Sequence, residues 1–342
     1  MAPGEQFAIR LLELAAQAFG GAVEPWQIKR RAKALAEADR TTRLLAAQAE
    51  QELKQVRAGE ARIVDGAVVP IDNPVGGAYL IEQADAPRLI QMAQAASEAD
   101  AARRVLNLAS IFEKARDEGP TVDDTTETAE KPVDPDWFVR WRLNAQDVSD
   151  ELMQQLWARL LAGEIQRPGA FSLKTLEILS QMTRDDANAV ADLGQYVISG
   201  SLYRHRPNKT PPFPYPSFED ILRFEEMGMI SGGTSGVGLA LHFSSALPDK
   251  FVTMLKAEDY LLYVEGDDAS KILKFDNYRL TRPCLELLRV CKPGVNLDYM
   301  RGVGRILMKQ GFKVGLGQRL RVPNGGEFFN PASAEWLAPS TE

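Results

Sequence analysis

The chain has 342 residues, with 45% hydrophobic, 8% aromatic and 25% charged side chains, the profile of a globular protein of two or three domains. Collagen-like, disulfide-scaffold and wholly disordered readings are excluded, and no apolar run approaches the roughly 20 residues of a membrane span. The formal charge of −7 is uneven: residues 270–322 hold twelve Lys and Arg against Asp276, Glu286 and Asp298, a net of +9, which leaves −16 for the rest. Asymmetry on this scale predicts segments with different partners. The N-terminus lacks the basic start, apolar core and cleavage site of a secretory signal. Cys284 and Cys291 stand seven apart on one predicted helix face, as suits buried thiols of a reducing compartment, so the expected location is cytoplasmic.

In chain order, residues 4–19 predict a short amphipathic helix with Phe7, Leu11, Leu14, Ala15, Ala18 and Phe19 at helical spacing, ended by Gly20-Gly21. Pro25 opens a second helical stretch to about Ala58, read as one arm of a helical hairpin because Asp39 and Thr42 spoil a coiled-coil seam. Residues 62–80 break the pattern. Ile63, Val64, Val68 and Val69 around Asp65-Gly66 predict a small hairpin or extended loop. Helix resumes from about Ala84 to Arg116, closing a helical N-terminal region, 1–116. Residues 117–136 carry eight carboxylates against Lys131 alone, with three prolines, and form an acidic linker that buries too little apolar surface to offset its ordering entropy.

An all-helical domain is expected over 137–199. Trp137, Phe138 and Trp141 begin one helix, and Ser149 is the expected cap of the next, which would bury Leu152, Leu156, Trp157, Leu160 and Leu161 and stop at Gly163. Pro168-Gly169 turns the chain, Ser172 caps a third helix, and Thr183 with Asp186 forms a capping box for a fourth, to about Ile198. A proline-rich loop follows at 200–217, and Ser217 with Asp220 caps Phe218–Met227. Residues 218–342 then read as a smaller, basic α+β domain. Its strands are expected at Leu239–Phe243, Tyr260–Val264, Tyr278–Leu280, Phe312–Val314 and Leu320–Val322, and its helices at Pro283–Cys291 and Asn296–Gln310. The fold class expected is mainly α, with a winged-helix-like C-terminal domain.

Catalytic hardware is sparse. His205 and His242 are the only histidines; the first is expected in a solvated loop and the second in a strand. The run Gly232–Gly238 lacks the Lys-Ser/Thr pair of a phosphate-binding loop and reads as a turn, and Gly302 with Gly304 falls within a helix pattern rather than a dinucleotide fingerprint. Glu164, placed just past a helix end, suits a local hydrogen bond or an ion pair, with Arg167 a candidate partner. No catalytic residue, metal site or cofactor is expected. Lys271, Lys274, Arg279, Arg282, Arg289, Arg301, Arg305 and Lys309 form a candidate face for nucleic acid or a partner protein. The N-terminal helix with Trp26 and Lys29, Arg30, Arg31 and Lys33 has the ingredients of a peripheral membrane contact through residues 4–33.

One stretch carries a family resemblance. Glu130–Trp137 leads into Asp147-Val148-Ser149-Asp150, Leu156–Glu164, Pro168-Gly169 and Phe171–Glu177, with Arg103-Arg104 and Asn107 upstream. These residues resemble an uncharacterised bacterial family, specifically over about residues 100–185, which in turn looks like the abortive-infection alpha proteins of phage defence. Within the motif, Trp137, Trp157, Gly163, Glu164, Pro168, Gly169 and Ser172 are expected to be structural. The resemblance implies a setting and no chemistry. The reading is a non-enzymatic interaction protein with a protein partner or self-association, and the alternative is a nucleic-acid-binding protein that uses the basic tail.

Overall fold

The computed structural model describes residues 3–20, 51, 54–55, 61–64, 67–70, 86–120, 131–205, 211–232, 239–321 and 327–339. The chain divides into two compact units, Met1–Pro168 and Gly169–Glu342. The division falls at the expected Pro168-Gly169 turn, where Gly169 adopts a φ of +86° that side chains rarely take.

The first unit holds helices α1 (Pro3–Phe19), α2 (Ala86–Asp117), α3 (Pro135–Ala145) and α4 (Glu151–Gln166), with the hairpin β1 (Ala61–Val64) and β2 (Ala67–Pro70). Its core is aromatic. Trp141 and Trp157 are fully buried, Phe112 meets Trp141 edge-on at 5.6 Å, and Phe138 stacks on Trp141 at 5.7 Å. The indole N–H of Trp141 donates to the Trp157 carbonyl at 3.1 Å, so this buried ring keeps its polar atom satisfied. On α1, Phe7, Leu11, Leu14 and Ala15 are buried, so the apolar face that suits a membrane packs inside this unit; Gly119 allows Phe7 to lie against the backbone. Trp26 and the basic cluster after it, the arm 25–58 except 51 and 54–55, and linker residues 121–130 lie outside the described residues.

The second unit overturns the mainly α expectation. It holds α5 (Leu173–Gln181), α6 (Arg184–Gly194), α7 (Phe218–Glu226), α8 (Arg282–Cys291) and α9 (Leu297–Met308) together with two antiparallel sheets, so the protein is mixed α+β. The first sheet comprises β3 (Val197–Ile198), β4 (Ser201–Tyr203), β5 (Ile230–Ser231), β6 (Leu239–Phe243) and β9 (Leu273–Leu280); β9 pairs with β4, β5 and β6. The second runs β13 (Glu335–Trp336), β10 (Lys313–Gln318), β8 (Tyr260–Gly266), β7 (Phe251–Ala257). A short pair, β11 (Leu320–Arg321) and β12 (Glu327–Phe328), stands beside them. The winged-helix expectation falls with the fold class: α7 leads into a five-stranded sheet that starts upstream, at Val197, and a second sheet follows it.

The expected strands missed β3, β4, β5, β12 and β13, which are two or three residues long and have no period to detect; the seven-residue β7, which forms a hairpin with β8, was also missed. Ser199 and Gly200, with φ of 50° and 71°, close the two-residue β3–β4 turn, and β3 takes the last two residues of the expected helix. Helix α9 packs through its two glycines. A Cβ at Gly302 would stand 2.2 Å from the Phe213 ring, and one at Gly304 would stand 2.4 Å from Leu337.

Candidate functional site

The motif residues converge on a joint between α2 and the turn that links α3 to α4. Asn107, buried on α2, donates from Nδ2 to the Gln146 carbonyl at 3.0 Å and to Ser149 Oγ at 3.2 Å. Gln154 on α4 donates to Asn107 Oδ1 and to the Val148 carbonyl, and accepts from Ser110 Oγ at 2.8 Å. Asp150, not Ser149, is the N-cap of α4; it accepts from the Met153 N–H, which leaves Ser149 to meet Asn107. At the rim, Arg103 and Arg104 face Asp100 and Asp147, and all four pairings lie between 2.5 and 3.3 Å. The hydrogen bond from Arg103 holds the Asp100 carboxyl below its ordinary range. Each guanidinium therefore has two carboxylates and each carboxylate two guanidiniums, so this cluster is internally neutral.

The remaining motif residues serve the framework. Trp137 opens α3 beneath the Asp134 cap, and the indole nitrogens of Trp137 and Trp157 are buried without a partner among the described residues, as rings used for packing. Gly163 lies inside α4, which runs on to Gln166, so Glu164 is not past a helix end as expected; it is 1% exposed within the helix. Ser172 caps α5 as expected and is itself held by Glu286 of α8. One Glu286 oxygen accepts from the Ser172 N–H (2.7 Å), the Ser172 hydroxyl (3.0 Å) and the Thr175 hydroxyl (2.5 Å), while the other accepts from Arg282 Nε (2.6 Å). Burial by itself raises this carboxyl, but the four donors outweigh it and hold it below its usual value. Sequence reasoning counted Glu286 as one of three acids in a basic tail; its signal was its place one helical turn after Arg282.

The eight basic residues do not share one neighbourhood. Arg301 is held by Asp298 and Glu335, which raises its pKa further, and Arg282 by Glu286. The Arg289 guanidinium lies 5.8 Å from the Phe171 ring centre, and Arg305 is close enough to depress Glu335 beside the larger effect of Arg301. Arg279 projects from β9 between Ser201 and Ser231. Lys271, Lys274 and Lys309 gather at one corner. The Gln310 side chain clamps Lys274 by accepting from its N–H (3.0 Å) and donating to its carbonyl (2.8 Å), Lys309 is the C-cap of α9, and Lys271 Nζ lies over Phe312 at 5.6 Å.

The two histidines differ from expectation by one. His242 sits exposed on β6, paired with Lys274, but His205 is no solvated residue: its Nε2 is buried without a partner among the described residues, beside Phe213 and Tyr215. Cys284 is buried and its thiol is pushed up to about 12 by burial, with Cys291 adding to it. Gly232 has a φ of +91° after β5, whereas 233–238 lie outside the described residues. Among the described residues, no group of three His, Cys, Asp or Glu could hold a metal ion, and no helix is long and apolar enough to cross a membrane.

This joint and the elements around it coincide with one family match. Residues 91–201 match a family described as a protein of unknown function, DUF2806. No curated protein and no solved structure matches the chain. The matched segment begins within α2, contains the Arg103–Asn107 joint, α3, α4, α5 and α6, and ends in β4.

Proposed function

We propose that the protein is a non-enzymatic interaction protein of the bacterial cytoplasm, acting as a sensor or effector in defence against phage. The observation that carries the reading is how the motif is used. Arg103, Arg104, Asn107, Trp137, Trp157 and Ser172 are taken up in helix joints, caps and packing, and the carboxylates beside them are saturated by guanidinium and hydroxyl donors. Groups arranged in this way hold shape and leave no acid or base poised for proton transfer. The phage-defence setting rests only on the resemblance of the motif to an uncharacterised family that in turn looks like the abortive-infection alpha proteins. The test is a phage challenge of cells that express the full chain, beside the joint-breaking variant Asn107→Leu. Protection lost with the joint supports the reading. A purified-protein activity abolished by one substitution that leaves the fold intact refutes it.

A second reading, nucleic-acid binding, is favoured by the Lys271–Lys274–Lys309 corner, since Lys274 and Lys309 make no ion pair among the described residues. Phosphate contacts by lysine predict affinity that falls steeply with salt as counterions are released. The measurement is binding of duplex DNA and single-stranded RNA at two salt concentrations, with all three lysines changed to Glu in parallel. No binding at low salt removes this reading.

A further inference from the structure

Strand β10 pairs with β8 along all of its length, from Lys313 to Gln318, but with β13 only at Gly315 and Leu316. Three neighbours are shaped to receive β13 and the residue after it. Arg301 of α9 donates to both Glu335 oxygens, at 2.9 and 3.0 Å, and with a smaller effect of Arg305 holds that carboxyl below its ordinary range. Gly315 keeps the β10 surface flat where Trp336 crosses it. A Cβ there would stand 3.0 Å from Ala334 and 3.5 Å from the indole, which meets Tyr263 edge-on at 6.0 Å. Gly304 leaves a notch in α9 that Leu337 fills, while the Leu337 N–H donates to the Val314 carbonyl at 2.9 Å. Farther along β10, a Cβ at Gly317 would overlap the Phe329 ring, which lies tilted over Tyr263 at 5.3 Å. Glycine inside a strand marks a place where another chain approaches closely, and β10 has two. The segment that uses them is lightly held. β13 is two residues long, Trp336 is 44% exposed, and the Glu335 side chain in its ion pair is half-exposed.

We propose that the β10 edge is a docking site for an extended segment of a partner protein bearing an acidic, an aromatic and an aliphatic residue in succession, and that Glu335-Trp336-Leu337 fills it in cis until that segment displaces it. The segment seated there defines the chemistry. Glu335 and Leu337 face α9, at Arg301 and Gly304, and Trp336 between them faces Tyr263 on the opposite side of the sheet. A strand added to a sheet edge gains affinity from main-chain hydrogen bonds and specificity from alternate side chains, which is the arrangement here. The guanidiniums of Arg301 and Arg305 select a carboxylate and disfavour a basic residue at the first position. A partner strand longer than β13 pairs with more of β10 than two residues, and this lets it displace a segment tethered close by.

The experiment is fluorescence anisotropy of a labelled peptide of residues 327–339 added to the full chain. In the wild type the cis segment, at an effective concentration of about a millimolar, keeps the peptide out. With Trp336→Ala and Leu337→Ala together, the edge and its pockets remain, and the peptide binds at least about tenfold more tightly than to the wild type. Arg301→Glu in that background abolishes binding, and a peptide carrying Glu335→Lys restores it, which a merely unfolded edge could not do. Should the double variant lose its circular dichroism signal, Leu337→Ala alone repeats the test. A folded variant that leaves the peptide unbound, or binding indifferent to Arg301→Glu, overturns the proposal. So does a variant that pairs with itself on sedimentation, which would give the edge to a second copy. The inference rests on the interaction-protein reading, but peptide binding is scored on purified protein and the phage challenge in cells, so each can fail without the other.

Discussion

Replacing Glu286 with alanine removes the acceptor that ties the first turn of α5 to α8. The carboxylate is 1% exposed, and one of its oxygens takes three donors from Ser172 and Thr175. The two hydroxyls lie 3.0 Å apart and can turn to each other, so the group left stranded is the Ser172 N–H. An unsatisfied buried donor costs about 1–3 kcal/mol, and the lost methylene packing adds about 1–2 kcal/mol, so the expected loss for Glu286→Ala is about 3 kcal/mol. Glu286→Gln can place its amide oxygen at the same three donors and should lose only about 1 kcal/mol. Arg282→Ala should cost about 1–3 kcal/mol: although that side chain is 70% exposed, it is the donor to the second oxygen of a carboxylate that is 1% exposed. With two units in the chain, one unfolding curve need not be two-state, so the direct assay is hydrogen exchange at the α5 amides. A loss of 3 kcal/mol corresponds to exchange about a hundredfold faster. Exchange within twofold of wild type in Glu286→Ala would refute the argument. The pH dependence follows from the sign of the shift. A carboxyl held below its unfolded value stabilises fully above that value, about 4.3, and the contribution disappears as pH falls through the folded pKa. The gap between wild type and Glu286→Gln is therefore largest near pH 7 and closes in acid.

Other substitutions test separate parts of the fold. Gly302→Ala would stabilise an exposed helix by up to about 1 kcal/mol, but here it should lower stability by about 1–3 kcal/mol, because its Cβ would overlap the Phe213 ring; a raised melting temperature contradicts the packing. Asn107→Leu removes the donor for Gln146 and Ser149 and should cost about 2 kcal/mol, read by denaturation followed through the tryptophans of the first unit. Lys292 closes α8 with a φ of 50°, so Lys292→Gly should raise stability by up to about 1 kcal/mol, and a fall in thermal midpoint would count against strain there.

Much of the local structure was legible. The caps at Ser172, Thr183–Asp186 and Ser217–Asp220 stand where expected, because capping depends on residues three apart in the chain. Helix α1 buries Phe7, Leu11, Leu14 and Ala15, which its periodicity had marked, and the β1–β2 hairpin flanks Asp65-Gly66. Two errors near the site share a cause. The α4 cap moved from Ser149 to Asp150 because Asn107, 42 residues upstream, engages the serine hydroxyl. Glu164 was placed outside a helix because Gly163 read as a stop, yet packing of α4 carries the helix through that glycine to Gln166.

The sequence by itself determined where most of the helices start, which residues face a core along them, and that one segment resembles an uncharacterised family. All of these depend on spacings of a few residues. Tertiary structure alone decided that the second half is built on two antiparallel sheets, since β4, β5 and β6 join through β9, and β8 joins β10, with partners far along the chain. It also decided which charges remain available. Composition counted the basic tail as one face, but Arg282 and Arg301 meet carboxylates and Lys271, Lys274 and Lys309 collect at one corner, an outcome set by chain topology rather than by charge.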